Sequence, residues 1–288
     1  MNQRTIGNRR VGEIGYGAAY LSHPGRPAEA QALETLHAVI RGGVTLIDTA
    51  DSYCLGETDM GHNERLVAKA LAAAGRSGDG ILVATKGGHT RPAGRWEVDG
   101  RPQYVRHACE ASIRALGVET IDLYQLHRPD PQVPFEDSIG ALAELRREGK
   151  VRMVGLSNVS LAQIDVAQRL VPVASVQNEL SPWQRQDEHN GVLQACAGRG
   201  IAYLPYSPFG GDGRAKRLGE IAAIATLARN HGVTPHQVVL AWLLAKSPVI
   251  IPIPCTTRAA RVAENLAAAK IALSIAELSA IDEGAPAA

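Results

Sequence analysis

The chain has 288 residues, is 45% hydrophobic and carries a formal net charge of +1. That is enough apolar material for a large core, and the near-neutral balance excludes the electrostatic footprint of a nucleic-acid or anionic-membrane binder. Four scattered cysteines without metal-ligand spacing, no signal-peptide pattern and no long apolar run predict a reduced, soluble, cytoplasmic protein without a bound metal.

In chain order, short runs that are apolar on both faces alternate with amphipathic segments. A strand is expected at 13–17, then a helix at 28–41. Strands at 44–48, 81–86 and 121–127 follow, with helices at 63–74, 104–116 and 135–148. Further strands are expected at 151–157, 174–177, 202–206 and 249–253. The remaining helices are expected at 161–169, 191–197, 218–231, 235–245 and 258–268. Gly42-Gly43, Gly117, Gly149, Gly200 and Gly232 read as helix stops, and Thr234-Pro235 as a helix start.

Eight βα units of this length predict one α/β domain over 1–288, a (β/α)8 TIM barrel with its site at the C-terminal ends of the strands. A doubly wound sheet is the alternative. It calls for GxGxxG after the first strand, where residues 15–20 read Gly-Tyr-Gly-Ala-Ala-Tyr, without the third glycine. The longer loops, 52–61, 87–103 and 209–216, are expected to line the rim.

Polar groups collect at successive strand ends. Asp48 closes the second run and Tyr53 follows it; Lys86 closes the third and His127 the fourth. Alone, each is an ordinary surface or structural residue. Together they place a carboxylate, a phenol, an ammonium and an imidazole on one rim. A free phenol, with a pKa near 10, is a poor acid at neutral pH. A lysine about 4 Å away favours the phenolate by roughly 4 kcal/mol before desolvation. A fall of about one to three pKa units is the expectation. Asp48 would keep Lys86 charged, and His127 would orient a carbonyl oxygen. The set lacks a nucleophile, a metal cluster and a phosphate loop, so the attacking species must come from a cofactor, with hydride the simplest choice.

These residues sit in DTADSY (48–53), TKGG (85–88), DLYQLH (122–127), GLSN (155–158), VQNE (176–179), YSP (206–208), Ile253-Pro254 and Glu264-Asn265-Leu266. Over nearly its whole length the chain resembles the aldo-keto reductases. The resemblance implies a (β/α)8 barrel that reduces an aldehyde or ketone with NADP(H). Tyr53 would be the general acid, Lys86 and Asp48 its tuning pair, and His127 the orienting group.

For the cofactor, Ser157, Asn158 and Gln177 at strand ends can bond a nicotinamide carboxamide, and Tyr206, with Ser207 and Pro208, can stack on its ring. Arg258 and Arg261, three apart at a helix start after Ile253, Pro254 and Thr256, suit the 2′-phosphate of NADP. Glu264 and Asn265 match the adenine-contacting positions of the resemblance. Gly17 and Ala18 are small enough for a dinucleotide to pass close by. Cys255 stands where some members carry lysine or glycine. Cys54, Trp96 and Arg128 are the substrate-pocket candidates, with Leu55, Arg91, Arg95 and Trp183 near them. The expected partner is a small carbonyl compound, and the expected state a monomer or weak homo-oligomer. Two other readings stay open: a barrel lyase with Lys86 as Schiff-base nucleophile, and a non-catalytic NADPH-binding redox sensor.

Overall fold

The computed structural model describes residues 2–75 and 80–285. An antiparallel hairpin, β1 (Gln3–Ile6) and β2 (Arg9–Gly12), comes first. It is followed by β3 (Tyr16–Gly17), α1 (Glu29–Arg41), β4 (Leu46–Asp48), α2 (His62–Ala73) and β5 (Leu82–Gly87). A small hairpin, β6 (His89–Thr90) and β7 (Glu97–Val98), precedes α3 (Pro102–Leu116), β8 (Ile121–Leu126), α4 (Phe135–Arg147), β9 (Val151–Ser157) and α5 (Leu161–Leu170). The chain continues through β10 (Val173–Gln177), α6 (Gln186–His189), α7 (Val192–Arg199), β11 (Ala202–Tyr203) and α8 (Gly211–Ala215). It finishes with α9 (Ala222–His231), α10 (Pro235–Lys246), α11 (Ala259–Ala267) and α12 (Ile275–Gly284).

Among the described residues, seven strands form one parallel sheet in the order β3-β4-β5-β8-β9-β10-β11. The order follows the chain without reversal, which is not the arrangement of a doubly wound sheet, where the order turns back at a switch point. Parallel strands covered by helices bury both faces, and every residue of β10 is buried. The helices bury one stripe each. In α3 it runs Val105, Ala108, Cys109, Ser112 and Leu116, at three- and four-residue steps. Gly117, Gly200 and Gly232 end their helices in the left-handed region, as their sequence positions predict.

Segment 249–253 does not form the expected strand. It still bonds to both edges of the sheet: Tyr203 N donates to Val249 O and Ile251 N to Tyr203 O, both at 2.8 Å. On the other side Gly15 N donates to Pro252 O (2.9 Å) and Gly17 N to Pro254 O (3.2 Å). Pro252 and Pro254 have no N–H to return, so the pairing is reduced to isolated bridges, Gly17 with Cys255 and Tyr203 with Ile250. The expected strand 13–17 shrinks to β3 for the same reason, since its edge meets this segment.

The β1–β2 hairpin has no counterpart in the expected elements. Its Ile6 and Val11 are buried with Leu46, Leu82, Met153, Ala174 and Ala202, residues early in their strands, so it covers the N-terminal end of the sheet. The expected helix 218–231 is broken at Ile221, which is extended (φ −77°, ψ 108°). α12 was also unforeseen, although Ser274 and Glu277 form its capping box. Among the described residues no helix is long and apolar enough to cross a membrane.

Candidate active site

β4 is buried along its length and ends on Asp48. The adjacent strand β5 carries Lys86 next to its last residue, and His127 directly follows β8. β4, β5 and β8 are successive neighbours, so three strand ends bring these groups together.

Lys86 is fully buried. Its Nζ donates to Asp48 Oδ2 (2.6 Å), Thr49 O (2.9 Å) and Tyr53 Oη (3.0 Å), which uses all three of its protons. Asp48 Oδ1 accepts from Gln177 Nε2 at 2.8 Å and from Gln125 Nε2 at 3.4 Å. The His127 and Tyr53 rings meet edge to face with centroids 5.7 Å apart. All four predicted residues are therefore adjacent.

Their electrostatics differ from the expectation in one respect. The Tyr53 phenol is not pushed down. Burial raises it well above 10.0, and the Asp48 carboxylate raises it further. Lys86 is itself lowered by burial, against the pull of Asp48. The ammonium charge is shared with a carboxylate at 2.6 Å, so its pull on the resting phenol does not outweigh burial. His127 is pushed well below 6.5, first by burial and then by His89, so its ring is neutral. Its Nδ1 lies 3.3 Å from Ser52 Oγ. With the serine hydroxyl donating there, the imidazole proton sits on Nε2, ready to be donated.

Asp48, Tyr53 and His127 open on a cleft of about 1410 Å³, and Lys86 is buried behind them. A single small ligand typically fills about 300–1,000 Å³. Of the predicted cofactor residues, Gly17, Asp48, Ser157, Asn158, Gln177, Tyr206, Ser207, Pro208, Ile253, Thr256, Arg258, Arg261, Glu264 and Asn265 line it. Ala18 and Pro254 do not. Ala18 is fully buried, and Pro254 faces Gly17 with its carbonyl. Among the substrate candidates Trp96 and Arg128 line the cleft. Cys54 does not: it is fully buried, with its thiol within hydrogen-bond reach of Ser52 O and Gly56 O. Arg91 is buried, with its guanidinium 3.9 Å from the Trp96 ring centroid, and Arg95 pairs with Glu97.

Asn158 is held in the left-handed region (φ 59°), where asparagine is among the more tolerant residues. Its Nδ2 donates to His127 O (2.9 Å), and its Oδ1 accepts from Tyr206 Oη (2.8 Å) and Arg128 Nη2 (3.1 Å). Its amide thus ties the imidazole strand end to the cofactor wall. The groups fit a phosphorylated dinucleotide. Arg258 and Arg261 are exposed at the start of α11 and form no ion pair among the described residues. No cluster of three metal-ligating side chains occurs among the described residues.

Several lining residues had not been singled out: Tyr20, His23, His89, Gln132, Phe209 and His236. His89 lies inside the long loop 87–103, whose length was the available signal. His23 and Tyr20 sit in a short connection that carried none.

Comparison with known proteins bears on the family of the whole chain. The profile of the Aldo/keto reductase family matches residues 13–285. An uncharacterised oxidoreductase of Schizosaccharomyces pombe is 35% identical over 283 residues, covering 96% of this chain and 88% of the relative. A thermostable aldo-keto reductase crystallised with the inhibitor epalrestat superposes with a TM-score of 0.82 at 28% identity, covering 99% of this chain and 100% of that one. An aldo-keto reductase from Klebsiella pneumoniae in complex with NADPH gives 0.82 at 26% identity, covering 100% and 97%. The chain belongs to the aldo/keto reductase family.

Proposed function

We propose that the protein is an NADPH-dependent oxidoreductase that reduces an aldehyde or ketone to an alcohol, with Tyr53 as the general acid. The observation that carries this reading is the chain Asp48–Lys86–Tyr53, with Lys86 Nζ 2.6 Å from the carboxylate and 3.0 Å from the phenol. We read the seven-stranded sheet, joined at both edges to 249–255, as a closed (β/α)8 barrel of one domain, with its active site on the C-terminal face.

When bound, a reduced nicotinamide supplies the hydride for the carbonyl carbon. Ser157 and Gln177 would hold its carboxamide, Tyr206 would face its ring, and Arg258 and Arg261 would take the 2′-phosphate. The chain's own part is the proton. Tyr53 Oη and the neutral His127 Nε2–H both donate to the carbonyl oxygen, which polarises it. As negative charge grows on that oxygen, Tyr53 gives up its proton to it. The phenolate left behind is met by Lys86, whose charge is fixed in place by Asp48. Burial keeps the phenol protonated until that moment, which is the state that an acid needs.

The environment of Lys86 weighs against Schiff-base chemistry, since its amine is fully buried and hydrogen-bonded three times. The reductase reading is tested with Tyr53→Phe. NADPH oxidation with an aldehyde panel should fall by at least about a thousandfold, in line with loss of a general acid. NADPH binding, followed by fluorescence, should persist. Intact turnover in this variant would refute the assignment.

A further inference from the structure

Among the polar groups of the cleft that the proton transfer does not use, His89 is the one beside His127. His89 stands on β6, opposite β7, and its Nδ1 lies 2.8 Å from Glu97 O. A carbonyl oxygen only accepts, so the ring proton sits on Nδ1. Burial lowers the His89 pKa, and the ring is neutral. Its Nε2 is then a lone-pair acceptor. That atom is bonded to no described residue, is not shut away from solvent, and belongs to a side chain lining the cleft. The ring is firmly placed: Tyr104 Oη donates to His89 O at 2.9 Å, and Trp96 packs edge-on with centroids 5.2 Å apart.

The His89 ring centroid is 4.4 Å from that of His127. The two imidazoles offer opposite polarity to the same small volume. His127 presents a donor, and His89 presents a lone pair. A carbonyl or alkoxide oxygen is attracted by the first and repelled by the second, so His89 cannot serve the reacting oxygen. It needs a donor, and the short ring separation places that donor on the carbon beside the carbonyl.

We propose that His89 is a specificity-determining residue that selects 2-hydroxyaldehydes or 2-hydroxyketones, its Nε2 accepting a hydrogen bond from the substrate hydroxyl. The proposal rests on the carbonyl-reductase reading above and names its substrate class. A site built to bond a hydroxyl discriminates strongly against analogues without one, because its own polar group is then left unpaired. Trp96 and His23, whose rings meet edge to face at 5.6 Å, would wall the rest of the molecule.

Three aldehydes of equal carbon number test it: lactaldehyde, propanal and methylglyoxal, which carry a hydroxyl, hydrogens or a carbonyl on the second carbon. NADPH oxidation is followed with wild type, His89→Phe and His89→Gln. Wild type should favour lactaldehyde over propanal by at least about tenfold in kcat/KM. His89→Phe keeps a ring and removes the acceptor. Its loss on lactaldehyde should exceed its loss on propanal by at least about tenfold, with no specific loss on methylglyoxal. His89→Gln, which supplies an amide oxygen, should recover part of the preference. Equal losses on all three substrates would show a purely structural role and overturn the proposal. So would a wild-type enzyme that does not prefer lactaldehyde, whether or not either variant folds. A wild type that reduces no carbonyl compound at all would instead overturn the reductase reading.

Discussion

Tyr53 is surrounded by groups that pull its proton in opposite directions, and burial decides the outcome. The phenol stands 3.0 Å from an ammonium, yet it is raised well above 10.0. A simple Coulomb estimate considers the lysine alone. It leaves out the carboxylate that holds the lysine and the water that both have lost. The difference is measurable. Tyr53 must be protonated to donate, so activity is lost only as pH rises past its raised pKa. His127 stays neutral until pH falls well below 6.5. The kcat/KM for reduction should therefore be flat from about pH 6.5 to about pH 10, with its alkaline limb above that range. A depressed phenol would place the limb near pH 7–9. The identity of the four residues was legible because each ends or follows an apolar run. Their protonation was not, because desolvation depends on what covers a residue, and its neighbours in sequence do not reveal that.

At the level of elements, α11 carries the clearest commitment to a ligand. Arg258 is its N-cap residue and Arg261 lies within its first turn, both on the wall of the cleft. The helix N-terminus and two guanidiniums make one anion seat. Replacing both arginines by alanine should weaken NADPH about 10- to 100-fold, at roughly 1.4 kcal/mol per tenfold, and leave NADH nearly unchanged. Fluorescence titration with both nucleotides checks this. Most helices were legible from their stripes and stop residues, as with α3 and Gly117. The break at Ile221 was not. The residues around it remain apolar at helical spacing, and only the extended backbone at that position interrupts them. The 249–253 segment misled in the other direction. It has the composition of a strand, but Pro252 and Pro254 remove the N–H groups that would continue the ladder on the β3 side.

For the molecule as a whole, the N-terminal hairpin matters more than its short strands imply. Ile6 is fully buried, and Arg4 reaches Ser247 O (2.9 Å) and Leu244 O (3.0 Å). Gly12 N donates to Thr45 Oγ1 at 2.7 Å, at the opposite end of the sheet from Asp48. Ile6→Ala should cost about 2–5 kcal/mol in denaturant unfolding, with NADPH affinity preserved in the folded fraction. The hairpin escaped a sequence reading because its residues are mostly polar or charged, and Ile6 and Val11 are its only buried apolar positions. The barrel-like alternation of the rest was legible from its eight runs.

The meeting of residues 15–17 with 250–255 has a consequence for how the molecule breathes. Tyr16 Oη donates to Thr256 O across 240 residues of chain, and a Cβ on Gly17 would lie 2.6 Å from Cys255 Sγ. Joining β8 to β9 closes a loop of only 151 − 121 = 30 residues. The longer closure is three doublings of that length, so it costs roughly 1.8 kcal/mol more entropy. It is also sewn sparsely, by an isolated bridge at Gly17 and a single backbone bond at Gly15, where β8 and β9 share a continuous ladder. Amide protons of Gly15 and Gly17 should therefore trade with deuterated water well before those of β8 and β9, as mass spectrometry or NMR can read. Gly17, Ile253 and Thr256 border the same opening. A dinucleotide lying over this join would act as a staple across the weakest suture of the fold.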